Sequence, residues 1–87
     1  MSDDLDMRRR RAAWRANHRG TKEMDVLLGR YAEDALPRLS GAPLEHFEQF
    51  LALPDPELQK WLLNPGEVPQ SAFADLVAAV RTFHGLA

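Results

Sequence analysis

Apolar side chains at Met24, Leu27, Leu28, Tyr31, Ala32, Ala35, Leu36 and Leu39 recur at intervals of three and four residues, the spacing that lines one face of an α-helix. The same period returns in Leu44, Phe47, Phe50 and Leu51, in Leu58, Trp61 and Leu62, and in Phe73, Leu76, Val77, Val80 and Phe83. No segment alternates apolar and polar residues as a half-buried strand would. Several short amphipathic helices must bury their apolar stripes against one another, so the chain is predicted to be all-α, a compact bundle of about five helices. With 87 residues it is long enough for one domain, spanning 1–87, and too short for two. Within it a basic N-terminal segment, 4–25, precedes a helical body, 26–87.

Punctuation sets the expected boundaries. Asp3, Asp4 and Asp6 precede Arg8, Arg9, Arg10, Arg11 and Arg15, an acid-first order that complements a helix dipole from about residue 4 to residue 18. Leu5, Ala12 and Trp14 are its few apolar anchors, so it should be the least buried helix. Gly20 stops it. A second helix runs from Thr21 or Lys22 to about Leu39, with Pro37 bending or ending it. Ser40 is placed to cap a third helix that Pro54 closes. Asp55 is placed to cap a fourth, with Pro56 at its first position, where a missing N–H costs nothing. Asn64-Pro65-Gly66 turns the chain into a fifth helix, about Gln70 to His84, that stops near Gly85. Trp61 reads as a core anchor.

The composition excludes much chemistry. There is no cysteine, hence no disulfide, thiolate nucleophile or iron–sulfur ligand set. Histidines 18, 46 and 84 are far apart in sequence and form no His-x-x-x-His or Glu-x-x-His pair, so no metal site is expected. Ser2, Ser40 and Ser71 have no nucleophile-elbow glycines around them. Glu45 and Glu48 read as a solvated pair on a helix surface. The glycines are isolated, without a phosphate-binding loop or dinucleotide fingerprint. A catalytic constellation is therefore not expected, nor is a cofactor held stably by this chain. No apolar run is long enough to span a bilayer, and the acids near the N-terminus suit neither a secretory signal nor a mitochondrial presequence. A bacterial cytoplasmic protein without direct membrane insertion is expected.

The net charge of −2 hides a division: residues 1–22 carry +4 and the remainder −6. A basic head suits a partner with an acidic surface. The four consecutive arginines also permit the reading of a small helical nucleic-acid-binding regulator. The acidic body and the lack of a second basic helix weigh against that alternative, and nucleic acid is not the expected partner.

Around Gly20 two readings meet. Gly20 could be a helix terminator in the left-handed region, with Glu23 favouring the N-terminus of the next helix. That leaves Arg11, Trp14, Arg15, Arg19 and Lys22 unexplained. Large amphipathic Trp and Arg side chains beside a glycine that admits another backbone are a composition suited to a protein interface. Asp25 belongs to that surface or caps locally.

The stretch "RAAWRANHRGTKEMD" resembles the signature of the SdhE family, small flavinylation or assembly factors of succinate dehydrogenase and fumarate reductase: a tryptophan, then Arg-Gly-x-x-Glu, then aspartate. "FLALPDPELQKWLLN" is similar to that family's downstream segment. The resemblance covers about residues 8–64 and departs in the long arginine run before Trp14. It implies a five-helix bundle that is no enzyme but a chaperone-like factor. Such a factor binds the flavoprotein subunit, working as a monomer, and promotes covalent attachment of FAD to a histidine of that subunit. FAD would then belong to the client. The residues carried over as partner-binding are Arg11, Trp14, Arg15, Arg19, Gly20, Glu23 and Asp25, with Arg11, Arg15 and Arg19 selecting an acidic rim and Gly20 keeping the surface flat. Asp55, Leu58, Trp61 and Leu62 match as well, but their spacing favours core or turn duty.

Overall fold

A computed structural model of the chain describes residues 2–64 and 73–86. The apolar stripes become five helices in chain order, α1 Ser2–Asn17, α2 Lys22–Ala35, α3 Gly41–Leu51, α4 Asp55–Leu63 and α5 Ala74–Phe83, with a 3₁₀ turn, Leu36–Arg38, between α2 and α3. All regular structure among the described residues is helical, as the periodicity predicts. Thr21 caps α2, its hydroxyl accepting from the Met24 N–H at 3.2 Å. Pro37 lies in the tightened turn that ends it, and α5 stops where Gly85 takes a left-handed φ of +72°. The turn Pro65-Gly66 and the segment from Gln70 to Ala72 lie outside the described residues.

One core unites the elements. Met24, Leu28 and Ala32 of α2 meet Leu44, Phe47, Phe50 and Leu51 of α3, Leu58, Trp61 and Leu62 of α4, and Val77 and Val80 of α5. Trp61 is buried, in keeping with its reading as an anchor. Tyr31 packs edge-on to Phe47 and to Phe83, each with ring centroids 5.8 Å apart, and Phe83 is itself exposed on its far side. Phe83, the aromatic of α5, thus covers the bundle margin, whereas Phe73 just before the helix packs on Phe50 of the core.

The first helix packs in an unexpected way. Its inward residues are mostly small: Ala12 and Ala16 are buried, Ala13 is partly so, and Leu5 near its start is the one large side chain packed against the core. Small side chains let α1 lie close against α2, where Gly29 is buried and a Cβ on it would overlap the Asn17 side chain. Trp14, expected among the anchors, points outward instead. Two arginines of the basic run brace the helix. Arg8 forms an ion pair with Glu48 of α3, and Arg9 donates from Nε and Nη2 to the Leu39 carbonyl at 3.1 and 2.8 Å. Glu48 is therefore not a merely solvated partner of Glu45.

Two expected caps are corrected. Ser40 occupies the N-cap position of α3 but makes no capping side-chain hydrogen bond. The cap of α4 is Pro54, Asp55 is its first helical residue and Pro56 its second. One residue inside the helix, the Asp55 carboxylate instead accepts from Arg19 and from the Gly20 N–H.

Replacing Trp61 by alanine is expected to destabilise the domain by about 3–5 kcal/mol in urea unfolding, because the void lies in the shared core. The Arg8 hydrogen bond and charge hold the Glu48 carboxyl below its ordinary value. Its stabilising contribution is thus present above the unfolded-state pKa and lost as pH falls through the lower, native one. The stability gap between wild type and Glu48→Gln should be widest above about pH 5 and close in acid, as read from thermal midpoints across pH.

Candidate functional site

Where α1 ends, the chain crosses to α2 through residues 18–21, and this crossing is pinned at every step. The Arg19 N–H donates to Asp25 Oδ1. The Gly20 N–H donates to Asp55 Oδ2 at 2.7 Å. Thr21 caps α2. The Asp25 expectation thus resolves to a local anchor on a partly buried carboxylate.

Gly20 has no left-handed φ, since positive values occur only at Gly41 and Gly85 among the described glycines. The terminator reading is corrected: α1 has already ended at Asn17. The reason for glycine is close approach, because a Cβ would stand 3.1 Å from Asp55 Oδ2.

Arg19 is turned inward, with its side chain 8% exposed. Its Nε and Nη2 reach Asp55 Oδ1 at 2.8 and 2.7 Å. Nη1 donates to the Leu51 carbonyl at 2.7 Å, and Nη2 to that of Leu53 at 3.1 Å. The positive charge sits against the C-terminal end of α3 and the negative charge at the N-terminus of α4, both signs favoured by the helix dipoles. The expected outward role in selecting an acidic rim does not fit this position.

What faces solvent is different. Arg11, Trp14, Arg15, Gly20, Lys22 and Glu23 are all exposed, Trp14 by 61%. The His18 ring stacks on the Trp14 indole with centroids 4.2 Å apart and planes 13° from parallel, and its Nδ1–H donates to the Trp14 carbonyl at 2.7 Å. Met7, Arg11, Trp14 and His18 follow four-three-four spacing, so they share one outward stripe. Met7 is 56% exposed. Arg11 and Arg15 also add to the positive field on Glu48. The Glu23 side chain makes no hydrogen bond or ion pair among the described residues.

Sequence reasoning missed two residues here and misjudged a third. Met7 and His18 carry a signal in the α1 repeat, visible once Trp14 is taken as the outward pole. Asp55 is marked by the downstream family segment but assigned to turn duty; its link to the Gly20 loop carries no local signal, because its partners lie 35 and 36 residues away. No group of three or more His, Cys, Asp or Glu suited to a metal occurs among the described residues. No described helix is long and apolar enough to cross a membrane.

The site is thus an exposed Trp14 flanked by Arg11 and Arg15, beside a loop held from within by Asp25 and Asp55. A family model described as flavinator of succinate dehydrogenase matches residues 10–84, and the chain belongs to that family. It is 43% identical over 68 residues to the FAD assembly factor SdhE of Acetobacter pasteurianus, covering 78% of this chain and 62% of that protein. It is 29% identical over 86 residues to the FAD assembly factor SdhE of Acinetobacter baylyi, covering 98% of this chain and all of that protein. It is 27% identical over 78 residues to the mitochondrial succinate dehydrogenase assembly factor 2 of Dictyostelium discoideum, covering 90% of this chain and 55% of that protein. The chain thus spans less than two thirds of the Acetobacter and Dictyostelium relatives. No solved structure matches it.

Replacing the exposed Trp14 by alanine should leave the unfolding free energy within about 0.5 kcal/mol of wild type, in contrast to Trp61→Ala. A loss comparable to that of Trp61→Ala in the same urea titration would instead make Trp14 a packing residue.

Proposed function

We propose that this chain is an assembly factor that binds the flavoprotein subunit of succinate dehydrogenase or fumarate reductase and promotes covalent attachment of FAD to it. The observation that carries the reading is the Trp14–His18 stack, held in solvent beside exposed Arg11 and Arg15 and a pinned Gly20 loop. Family membership and the names of the relatives support the same direction. An exposed aromatic with adjacent guanidinium groups is the composition of an interface centre. Arg11 and Arg15 select an acidic rim on the client, Trp14 enters an apolar recess there, and Glu23 accepts a hydrogen bond near the flavin pocket.

In this reading FAD and its accepting histidine belong to the client. The factor acts as a cytoplasmic monomer, without catalytic groups of its own. It holds the immature subunit in a geometry from which the flavin reacts, a positioning effect that lowers the entropic part of the barrier. The nucleic-acid alternative is weakened by the use of Arg8 and Arg9 inside the fold, against Glu48 and the Leu39 carbonyl.

Purified apo flavoprotein subunit, FAD and this protein are mixed, and flavin fluorescence that survives denaturing electrophoresis is followed over time. Faster covalent incorporation with wild type, reduced by Glu23→Ala, is the expected result. No acceleration, together with no complex formed, would overturn the proposal.

A further inference from the structure

The Arg-Gly pair invites the view that its arginine is a contact residue, yet the geometry around it leaves no route outward. An arginine has five N–H donors and no acceptor. Those of Arg19 are directed at Asp55 Oδ1 and at the carbonyls of Leu51, Leu53 and Arg15, the last at 3.4 Å. Its side chain is 8% exposed. To touch a partner, the guanidinium would have to abandon a partly buried carboxylate and the carbonyl end of α3, leaving Asp55 without its counter-ion and the Leu51 and Leu53 carbonyls without this donor.

The same carboxylate controls the loop. Asp55 Oδ1 takes Arg19 and Oδ2 takes the Gly20 N–H, so one side chain grips both residues of the pair. The Arg19 N–H is held from the other side by Asp25. Between two carboxylates on different helices, the peptide that leads into Thr21 and Glu23 has a fixed path. A Cβ on Gly20 would crowd Asp55 Oδ2 at 3.1 Å, so the constraint on this position comes from behind the loop before any partner approaches.

We propose that Asp55 and Arg19 are positioning residues for the docking surface. Their ion pair sets the path of residues 19–23 from within, and contact with the flavoprotein falls to Arg11, Trp14, Arg15, Gly20 and Glu23. The inference rests on the docking function proposed above and assigns the Arg-Gly-x-x-Glu motif an inward half and an outward half.

The test is a double-mutant cycle on affinity for the purified apo flavoprotein subunit, measured calorimetrically where circular dichroism shows each variant folded. Asp55→Asn and Arg19→Gln should each weaken binding about tenfold or more, and the double variant should bind no worse than the weaker single, since both remove one device. Arg11→Gln, an outward residue, should instead add its full loss to that of Asp55→Asn. Additive losses for Arg19→Gln and Asp55→Asn, or an Asp55→Asn protein that binds within twofold of wild type, would overturn the proposal.

Should either variant fail to fold, the wild-type chain decides. Its Arg19 Nε–H resonance should exchange slowly with solvent and keep its shift when the subunit binds, while those of Arg11 and Arg15 move. A shift of Arg19 on binding, equal to theirs, would make it a contact residue. Absence of any wild-type binding overturns the docking function and this proposal with it, whereas binding with an additive cycle overturns this proposal alone.

Discussion

The Arg19 guanidinium lies where the C-terminal ends of α1 and α3 meet the N-terminus of α4, paired there with Asp55. A cation beside two carbonyl-rich helix ends and an anion at an amide-rich one is the arrangement that all three dipoles favour. Helix ends carry unpaired backbone groups, and the buried ones must find partners within the protein. One side chain satisfies the carbonyls of Leu51 and Leu53, which close the corner between α3 and α4. Its counter-ion then fixes the loop between α1 and α2. The corner between α3 and α4 and the loop between α1 and α2 are thereby joined through this one pair.

The second determinant is the inverted size pattern of α1. Its inward face is mostly alanine, and its outward stripe holds Met7, Arg11 and Trp14, with His18 just past the helix end. A helix that presents mostly alanine to its neighbours, with Leu5 its one large apolar contact, gains little from apolar burial, since the transfer free energy scales with the area removed from water. It is held instead by close approach to α2 and by polar braces at separated points, Arg8 to Glu48, Arg9 to the Leu39 carbonyl, and Arg19 to Asp55. The large side chains are thereby left for solvent, or for a partner. Such an outward tryptophan adds nothing to the shared core, and in the proposed function its role is recognition.

Much of the bundle was legible in the sequence because its apolar residues keep helical time. Leu44, Phe47, Phe50 and Leu51 could face one way only, and they are all buried. The stops at Pro37 and Gly85 were equally legible, since each acts through its own backbone restriction. Capping was less so. Asp55 stands where a cap is expected, but it lies one residue inside the helix and its carboxylate accepts from Arg19 instead. For the candidate site, the exposed group of Arg11, Trp14, Arg15 and Glu23 could be named from residue type and from the family signature, whereas Arg19 could not be told from its exposed neighbours. Nothing local distinguishes an arginine that snorkels to solvent from one that seals a corner.

Periodicity and punctuation by themselves determined the helical class, the faces that enter the core and the placement of a basic, aromatic segment before Gly20. These are consequences of spacing along one chain, and each rests on interactions within a turn or two of helix. The tertiary structure decided which charges are outward and which are inward. Arg8, Arg9 and Arg19 found acceptors 40, 30 and 36 residues away, while Arg11 and Arg15 did not. That choice depends on how three helix ends converge in space, and no local spacing encodes the distance between residues 19 and 55.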